Sequence, residues 1–236
     1  MIIPGKLYLI PNVIAGETAS QVIPPHVRQA LGGIQHFLAE DIRTARRYFS
    51  SLKLFDSIET LQFDTLNKDT KESELPTLMS PLFEGNNLGV VSESGCPGVA
   101  DPGALAVRYA HQKNIQVIPL VGPSSVLLAL MASGLNGQRF AFHGYLPIET
   151  KEAAQSILDL ERESRKKNQT QIFIETPYRN NGILQTLISH LHSETTLCVA
   201  LDLTSEYEKI IAKSVRDWKQ ASVELPKAPA IFLFLA

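Results

Sequence analysis

The chain has 236 residues, 44% of them hydrophobic, enough to bury a substantial core in one large or two small domains. Its formal charge of -2 gives no global electrostatic reason to bind nucleic acid, so any such contact has to be local. The two cysteines, Cys96 and Cys198, lack the clustered spacing of a zinc site or a disulfide framework, which fits a reducing, cytoplasmic setting and no metal.

In chain order, Met1 to Lys6 lacks the basic leader and long apolar stretch of a signal peptide. Lys6 to Pro11 reads as a first strand, and Pro24-Pro25 opens a helix to about Leu31. Gln35 to Glu40 is a second strand. Asp41 then caps a helix to about Leu52, with Ile42, Ala45, Tyr48 and Phe49 on one face and Arg43, Arg46 and Arg47 on the other. A candidate strand at Ser57 to Phe63 precedes a polar loop, Asn67 to Ser73. Leu88 to Ser92 is a buried strand, Pro102 to Gln112 a helix and Ile115 to Leu120 a strand. The most apolar stretch, Val117 to Leu135, is interrupted by Pro119, Gly122 and Pro123, which excludes a membrane span and marks a turn into a helix ending near Gly134. That turn is the expected domain boundary, giving residues 1–121 and 122–236.

Arg139 to His143, Thr170 to Glu175 and Thr196 to Leu203 read as strands, separated by helices from Thr150 to about Lys167 and from about Arg179 to His192. Tyr207 to Ala212 adds a further strand. Ser214, with Asp217 three residues on, caps a helix through Gln220, and Ala230 to Leu235 is an apolar closing strand. Alternating strands and helices make the fold class α/β, with a largely parallel sheet in the first half.

The segment Val90-Val-Ser-Glu-Ser-Gly-Cys-Pro-Gly-Val-Ala-Asp-Pro-Gly103 joins a strand to a helix through three glycines and two prolines. Such a loop exposes backbone polar groups in a fixed shape at the carboxyl end of a strand, where open α/β sheets bind ligands. An ordinary turn, with Asp101 as N-cap and Pro102 in the first helical position, explains those two residues but not the eight before them. Neither a dinucleotide fingerprint nor a phosphate-binding P-loop occurs. A second turn, Gly122-Pro-Ser-Ser125, follows the next strand and suits the same crevice. Cys96 has no paired histidine and reads as a small packing residue, and the six histidines show no metal spacing.

The run Val91 to Gly103, then Val117 to Ser125 and Gly144-Tyr-Leu-Pro147, resembles the tetrapyrrole methylase superfamily. Within it the chain is most similar to the small-subunit ribosomal RNA methyltransferases that modify a cytidine 2'-hydroxyl of 16S rRNA. Leu7 to Pro11, Ala39-Glu-Asp-Ile-Arg43, Glu175 with Arg179, and Leu203-Thr204 with Glu208 extend the likeness almost end to end. The resemblance implies two α/β domains with a cleft between them, S-adenosylmethionine (SAM) folded into that cleft, and a homodimer. By position, Pro11, Ser94, Gly95, Cys96, Val99, Ala100, Ser124 and Ser125 would contact the cofactor. Thr176, Pro177, Leu201, Leu203 and Ala228 would complete the pocket from the second domain, much of it through backbone.

Methyl transfer from a sulfonium needs in-line placement of the nucleophile and exclusion of water. A ribose hydroxyl acceptor would also benefit from a base, and Glu40, Asp41 and Glu93 are the carboxylates at strand ends facing the expected cleft. Arg43 and Arg179 lie in matched motifs and are the candidates for holding substrate.

The match also has breaks. The RNA enzymes follow their first strand with Thr-Pro-Ile-Gly-Asn, where this chain has Asn12-Val-Ile-Ala-Gly16, and they carry Asp where Glu93 stands. Their Ala-Arg-Glu-Leu-Thr-Lys is Ala200-Leu-Asp-Leu-Thr-Ser205 here, so Leu201 and Ser205 replace basic residues of a kind that contribute to RNA affinity. Three readings follow: an RNA 2'-O-methyltransferase, a methyltransferase acting on a tetrapyrrole or other small molecule, and a non-catalytic SAM-binding module.

Overall fold

The computed structural model describes residues 3–221 and 223–236. Two compact α/β units divide the chain, Met1–Ser124 and Ser125–Ala236. No helix among the described residues is long and apolar enough to cross a membrane.

The first unit runs β1 (Leu7–Ile10), α1 (Ala19–Val22), α2 (Pro25–Leu31), β2 (His36–Ala39), α3 (Ile42–Leu52), β3 (Gln62–Thr65), α4 (Leu75–Leu78), α5 (Ser80–Phe83), β4 (Leu88–Val91), α6 (Gly103–Gln112) and β5 (Val117–Pro119). Its sheet has the order β3-β2-β4-β1-β5 with every pairing parallel. Side chains alternate between the faces, as the period of a strand requires. Ile10, Phe37, Ala39 and Val91 pack on one face with residues of α1, α2 and α3, whereas Leu7, Leu38, Leu88 and Val90 pack on the other with residues of α4, α5 and α6. Burial on both faces explains why these strands read as continuous apolar runs.

This arrangement fixes where a ligand can bind. The chain leaves β1 toward α1 and α2 on one face and leaves the adjacent β4 toward α6 on the other. Neighbouring strands whose connections depart to opposite faces open a crevice at their carboxyl ends, the topological switch point of an open α/β sheet. Pro11-Asn12 and the loop after Val91 lie there.

Asp41 caps α3 as expected, its carboxylate accepting from the Thr44 N–H at 2.6 Å. The expected strand at Ser57 to Phe63 is instead a 3-10 turn over Ile58–Thr60 followed by β3. Ser57 drives the difference, because its hydroxyl accepts from Glu59 N and its carbonyl from Thr60 Oγ1, closing a local turn before the ladder can begin. The helix after the loop begins at Gly103, one residue later than expected, with Pro102 rather than Asp101 in the cap position.

The second unit contains α7 (Ser125–Ser133), β6 (Phe140–Tyr145), α8 (Thr150–Lys167), β7 (Thr170–Glu175), α9 (Asn180–His190), β8 (Thr196–Leu201), β9 (Lys209–Ser214), α10 (Val215–Gln220) and β10 (Ala230–Leu235). Its sheet, β6-β7-β10-β8-β9, is mixed: β6 and β7 are parallel, and the remaining pairs are antiparallel. One face carries Phe173, Val199, Phe232 and Phe234 against Ile157 of α8, Leu184 and Leu187 of α9 and Trp218 of α10. Ser214 caps α10 through its hydroxyl, which accepts from Asp217 N.

Candidate functional site

At the switch point, Asn12 organises the loop. Its side-chain NH2 donates to the carbonyls of Ser92 (2.9 Å) and Glu93 (3.1 Å), and its backbone N–H donates to Gly95 O (2.8 Å). The Ser92 hydroxyl donates to Ser94 O at 2.9 Å. Further along, Asp101 Oδ1 accepts from both Gly98 N (2.9 Å) and Gly103 N (2.7 Å), clasping the loop shut at the helix entrance. Gly98 has φ +81° and Ala100 φ +54°, left-handed conformations that glycine adopts freely and alanine only at some cost. Backbone strain of this kind gathers at ligand sites.

The second turn closes on the first. Gly122 lies so near Pro11 that a Cβ there would stand 2.0 Å from Pro11 Cβ, which only glycine avoids. Tyr48 donates its hydroxyl to Pro11 O at 2.7 Å, and burial pushes its pKa up. Cys96 donates its thiol to Pro123 O at 3.3 Å, and burial raises its pKa, which suits a packing thiol rather than a nucleophile. Pro11 and Gly95 are thus buried in the frame, while Ser94, Val99 and Ala100 are exposed on it and Ser124 is half-buried beside them. Ser125 opens α7.

Two carboxylates meet at this end of the sheet. Ala39 and Val91 pair in register, so Glu40 and Glu93 leave adjacent strands one and two residues later. Burial pushes the half-buried Glu40 above the usual carboxylate range, and the negative charges of Glu93 and Asp101 add to it, against a smaller lowering by Lys68. Glu93 itself is exposed. Asp41 is the opposite case: hydrogen bonds from Thr44 hold its carboxyl below the usual range, so it is a poorer proton acceptor than Glu40. Arg43 is exposed in the first turn of α3.

In the second unit the remaining predicted residues also share one end of a sheet. Ala230 pairs with both Glu175 and Leu201, so Thr176-Pro177, the segment Leu201 to Leu203, and Ala228 emerge together. Leu201 and Leu203 are buried, at 1% and 3% exposure, so neither side chain is open to a ligand. Arg179 is already engaged: Nη2 lies 3.3 Å from Glu175 Oε2 and donates to Pro147 O at 2.9 Å. Glu175 Oε1 accepts from Thr176 N at 2.7 Å. The buried Asn180 holds the segment before β10 by donating to Ala228 O (2.7 Å) and Pro226 O (3.3 Å).

Sequence reasoning missed Asn12, Tyr48 and Asn180 as organisers of these loops. A polar Asn directly after an apolar strand and a proline was the available signal for Asn12. Nothing local announces the other two, because their partners lie 37 and 48 residues away. Among the described residues, no group of three or more His, Cys, Asp or Glu side chains could hold a metal ion.

No family model matches the chain. Ribosomal RNA small subunit methyltransferase I of Vibrio cholerae serotype O1 is 30% identical over 206 residues, covering 86% of this chain and 67% of that protein. The protein of the same name from Xylella fastidiosa is 31% identical over 208 residues, covering 88% and 72%. The one from Escherichia coli O157:H7 is 30% identical over 210 residues, covering 87% and 68%. Among solved structures, uroporphyrin-III-C-methyltransferase from Thermus thermophilus matches with a TM-score of 0.57 at 18% identity, over 98% of this chain and 92% of that one. The methyltransferase CobJ matches with a TM-score of 0.61 at 16% identity, over 97% and 93%. The structural likeness establishes a tetrapyrrole methylase fold of two α/β domains. On sequence, the chain is a methyltransferase and belongs to the ribosomal RNA small subunit methyltransferase I family.

Proposed function

We propose that the protein uses SAM to methylate a ribose 2'-hydroxyl of a cytidine in 16S rRNA, with Glu40 as the group that takes the hydroxyl proton. The loop at the switch point carries the reading. The N–H groups of Ser94, Cys96 and Ala100 have no partner among the described residues, while the carbonyls around them are tied by Asn12 and Ser92. Donors left over by a rigid frame suit a carboxylate and an adenine edge. SAM would supply an electrophilic methyl on a sulfonium. The chain supports the reaction by holding the loop rigid, through Asn12 and Asp101, and by keeping a carboxylate of raised pKa beside it.

As the ribose oxygen takes the methyl that SAM would give up on leaving as a neutral thioether, the hydroxyl proton passes to Glu40. A base whose pKa lies closer to working pH is better matched to that task than an ordinary carboxylate. Glu93 then serves to raise Glu40 further. Thr176, Pro177, Leu201, Leu203 and Ala228 are proposed to contact SAM, through backbone where their side chains are buried, and Arg43 to meet an RNA phosphate. The family likeness adds a homodimer in the cytoplasm, checked by light scattering and fractionation.

The test is incubation of the protein with methyl-labelled SAM and 30S subunits from cells lacking the modification. Label is expected in 16S rRNA, recovered as 2'-O-methylcytidine after nuclease digestion. Label recovered only as a base-methylated nucleoside, or none at all, contradicts the proposal.

A further inference from the structure

Three of the chain's six tyrosines stand at one end of the second sheet. β6, β7 and β8 finish there and β9 and β10 begin, since Leu201 pairs with both Ala230 and Lys209. Tyr145 closes β6, Tyr178 follows β7, and Tyr207 lies in the β8–β9 turn. They are 59%, 84% and 74% exposed, whereas Phe173, Phe232, Phe234 and Trp218 of the same unit are at most 1% exposed. Core packing accounts for the second set and not for the first.

The two most exposed rings are mounted on fixed backbone. Tyr178 sits between Pro177 and the Glu175–Arg179 ion pair, and Lys227 Nζ lies over its ring, 5.6 Å from the centroid. The segment carrying Lys227 is pinned by Asn180 and by Asn181, which donates to Leu225 O at 2.9 Å and accepts from Leu225 N at 2.8 Å. Tyr207 N donates to Ser205 Oγ at 2.9 Å, and Ser205 Oγ donates to Asp202 Oδ2 at 2.8 Å. Each ring is therefore presented to solvent from a rigid turn, at little further cost in backbone order when it meets a partner.

The charge in the β8–β9 turn argues against a track for phosphates along that part of the rim. Between Asp202 and Lys209 there are three carboxylates, Asp202, Glu206 and Glu208, and one cation, Lys209. Leu201 is packed in the core and Ser205 is tied to Asp202, so neither position offers charge to an RNA backbone. What the rim offers instead is aromatic faces, one with a cation beside it. Unpaired bases are recognised in this way, by stacking on aromatic side chains.

We propose that Tyr178 and Tyr207 are stacking platforms for unpaired bases of the acceptor RNA, so that this rim reads splayed nucleotides by ring contact rather than by neutralising phosphates. The inference rests on the RNA reading of the function given above. It assigns acceptor recognition to residues other than those of the switch-point loop and its carboxylates, and it implies a shallow dependence of RNA affinity on salt.

Two measurements on the intact protein test it. With undermodified 30S subunits as acceptor, Tyr178→Ala and Tyr207→Ala should each raise KM about tenfold, the range expected for one lost stack, while Tyr178→Phe stays near wild type. SAM affinity by calorimetry should not change in any variant, since none of the positions proposed to contact SAM is altered. With a single-stranded RNA carrying 2-aminopurine, wild type and Tyr178→Phe should quench the fluorescence and Tyr178→Ala should not. Wild-type KM in both alanine variants, or a loss in Tyr178→Phe equal to that in Tyr178→Ala, overturns the stacking role. Wild-type protein that leaves 2-aminopurine unquenched overturns it as well. Wild-type protein that methylates no 30S subunit refutes instead the acceptor reading on which the inference rests.

Discussion

Glu40 and Asp41 are adjacent carboxylates that their surroundings push in opposite directions. Burial and the neighbouring charges of Glu93 and Asp101 raise Glu40, and Thr44 lowers Asp41. If Glu40 takes the proton, kcat falls as pH drops through its raised pKa, and Glu40→Gln loses about 10²–10⁴-fold in kcat with SAM affinity intact. Glu93→Gln removes a repulsion, lowers the Glu40 pKa and moves the acid limb of the pH–rate profile to lower pH. Stability moves the other way: a carboxylate raised on folding favours the folded state below its unfolded pKa and loses that contribution as pH rises through the folded value. Glu40→Gln should therefore raise the thermal midpoint at neutral pH relative to wild type. For Asp41, lowered on folding, stabilisation is present above its unfolded pKa and is lost as pH falls through the folded one, so Asp41→Ala lowers the midpoint at neutral pH. In the sequence Glu93 stands out because it begins the glycine-rich loop and Asp41 reads as a helix cap; nothing there singles out Glu40, because its burial and the proximity of Glu93 arise only when β2 and β4 pair.

At the scale of elements, the loop from Ser92 to Pro102 works because β1 and β4 are neighbours whose connections leave on opposite faces. The loop itself was legible from its glycines and prolines, and the second turn at Gly122 from its Gly-Pro pair. Their contact was not, since it depends on a strand order no local pattern encodes. Gly122→Ala places a Cβ 2.0 Å from Pro11 Cβ and is expected to cost about 1–3 kcal/mol, read as a lower thermal midpoint with weakened SAM binding. Asp101→Ala releases Gly98 N and Gly103 N, and SAM affinity should fall about tenfold, the scale of one or two lost hydrogen bonds, with Asp101→Asn recovering part of it through its remaining acceptor. Helices with strong periodicity, such as α3 and α8, were readable to the residue or nearly so, and the strand assigned to Ser57 to Phe63 failed where a serine could hydrogen-bond its own backbone.

The whole chain is two units, each with its own core. β10 is the last strand in sequence and the middle one in its sheet, pairing with both β7 and β8, so deleting residues 230–236 should unfold the second unit, seen as loss of the cooperative thermal transition and of Trp218 burial by fluorescence. The alternating pattern made the α/β class readable, and the apolar run Ala230 to Leu235 marked a strand buried on both faces without revealing its central place. Membership of the family points to ribosomal RNA rather than a small molecule as the methyl acceptor. That acceptor is tested most directly by offering undermodified 30S subunits and uroporphyrinogen III side by side with labelled SAM. Label is expected in 16S rRNA as 2'-O-methylcytidine and none in the tetrapyrrole; label in the tetrapyrrole with none in 16S rRNA would show a small-molecule methyltransferase instead.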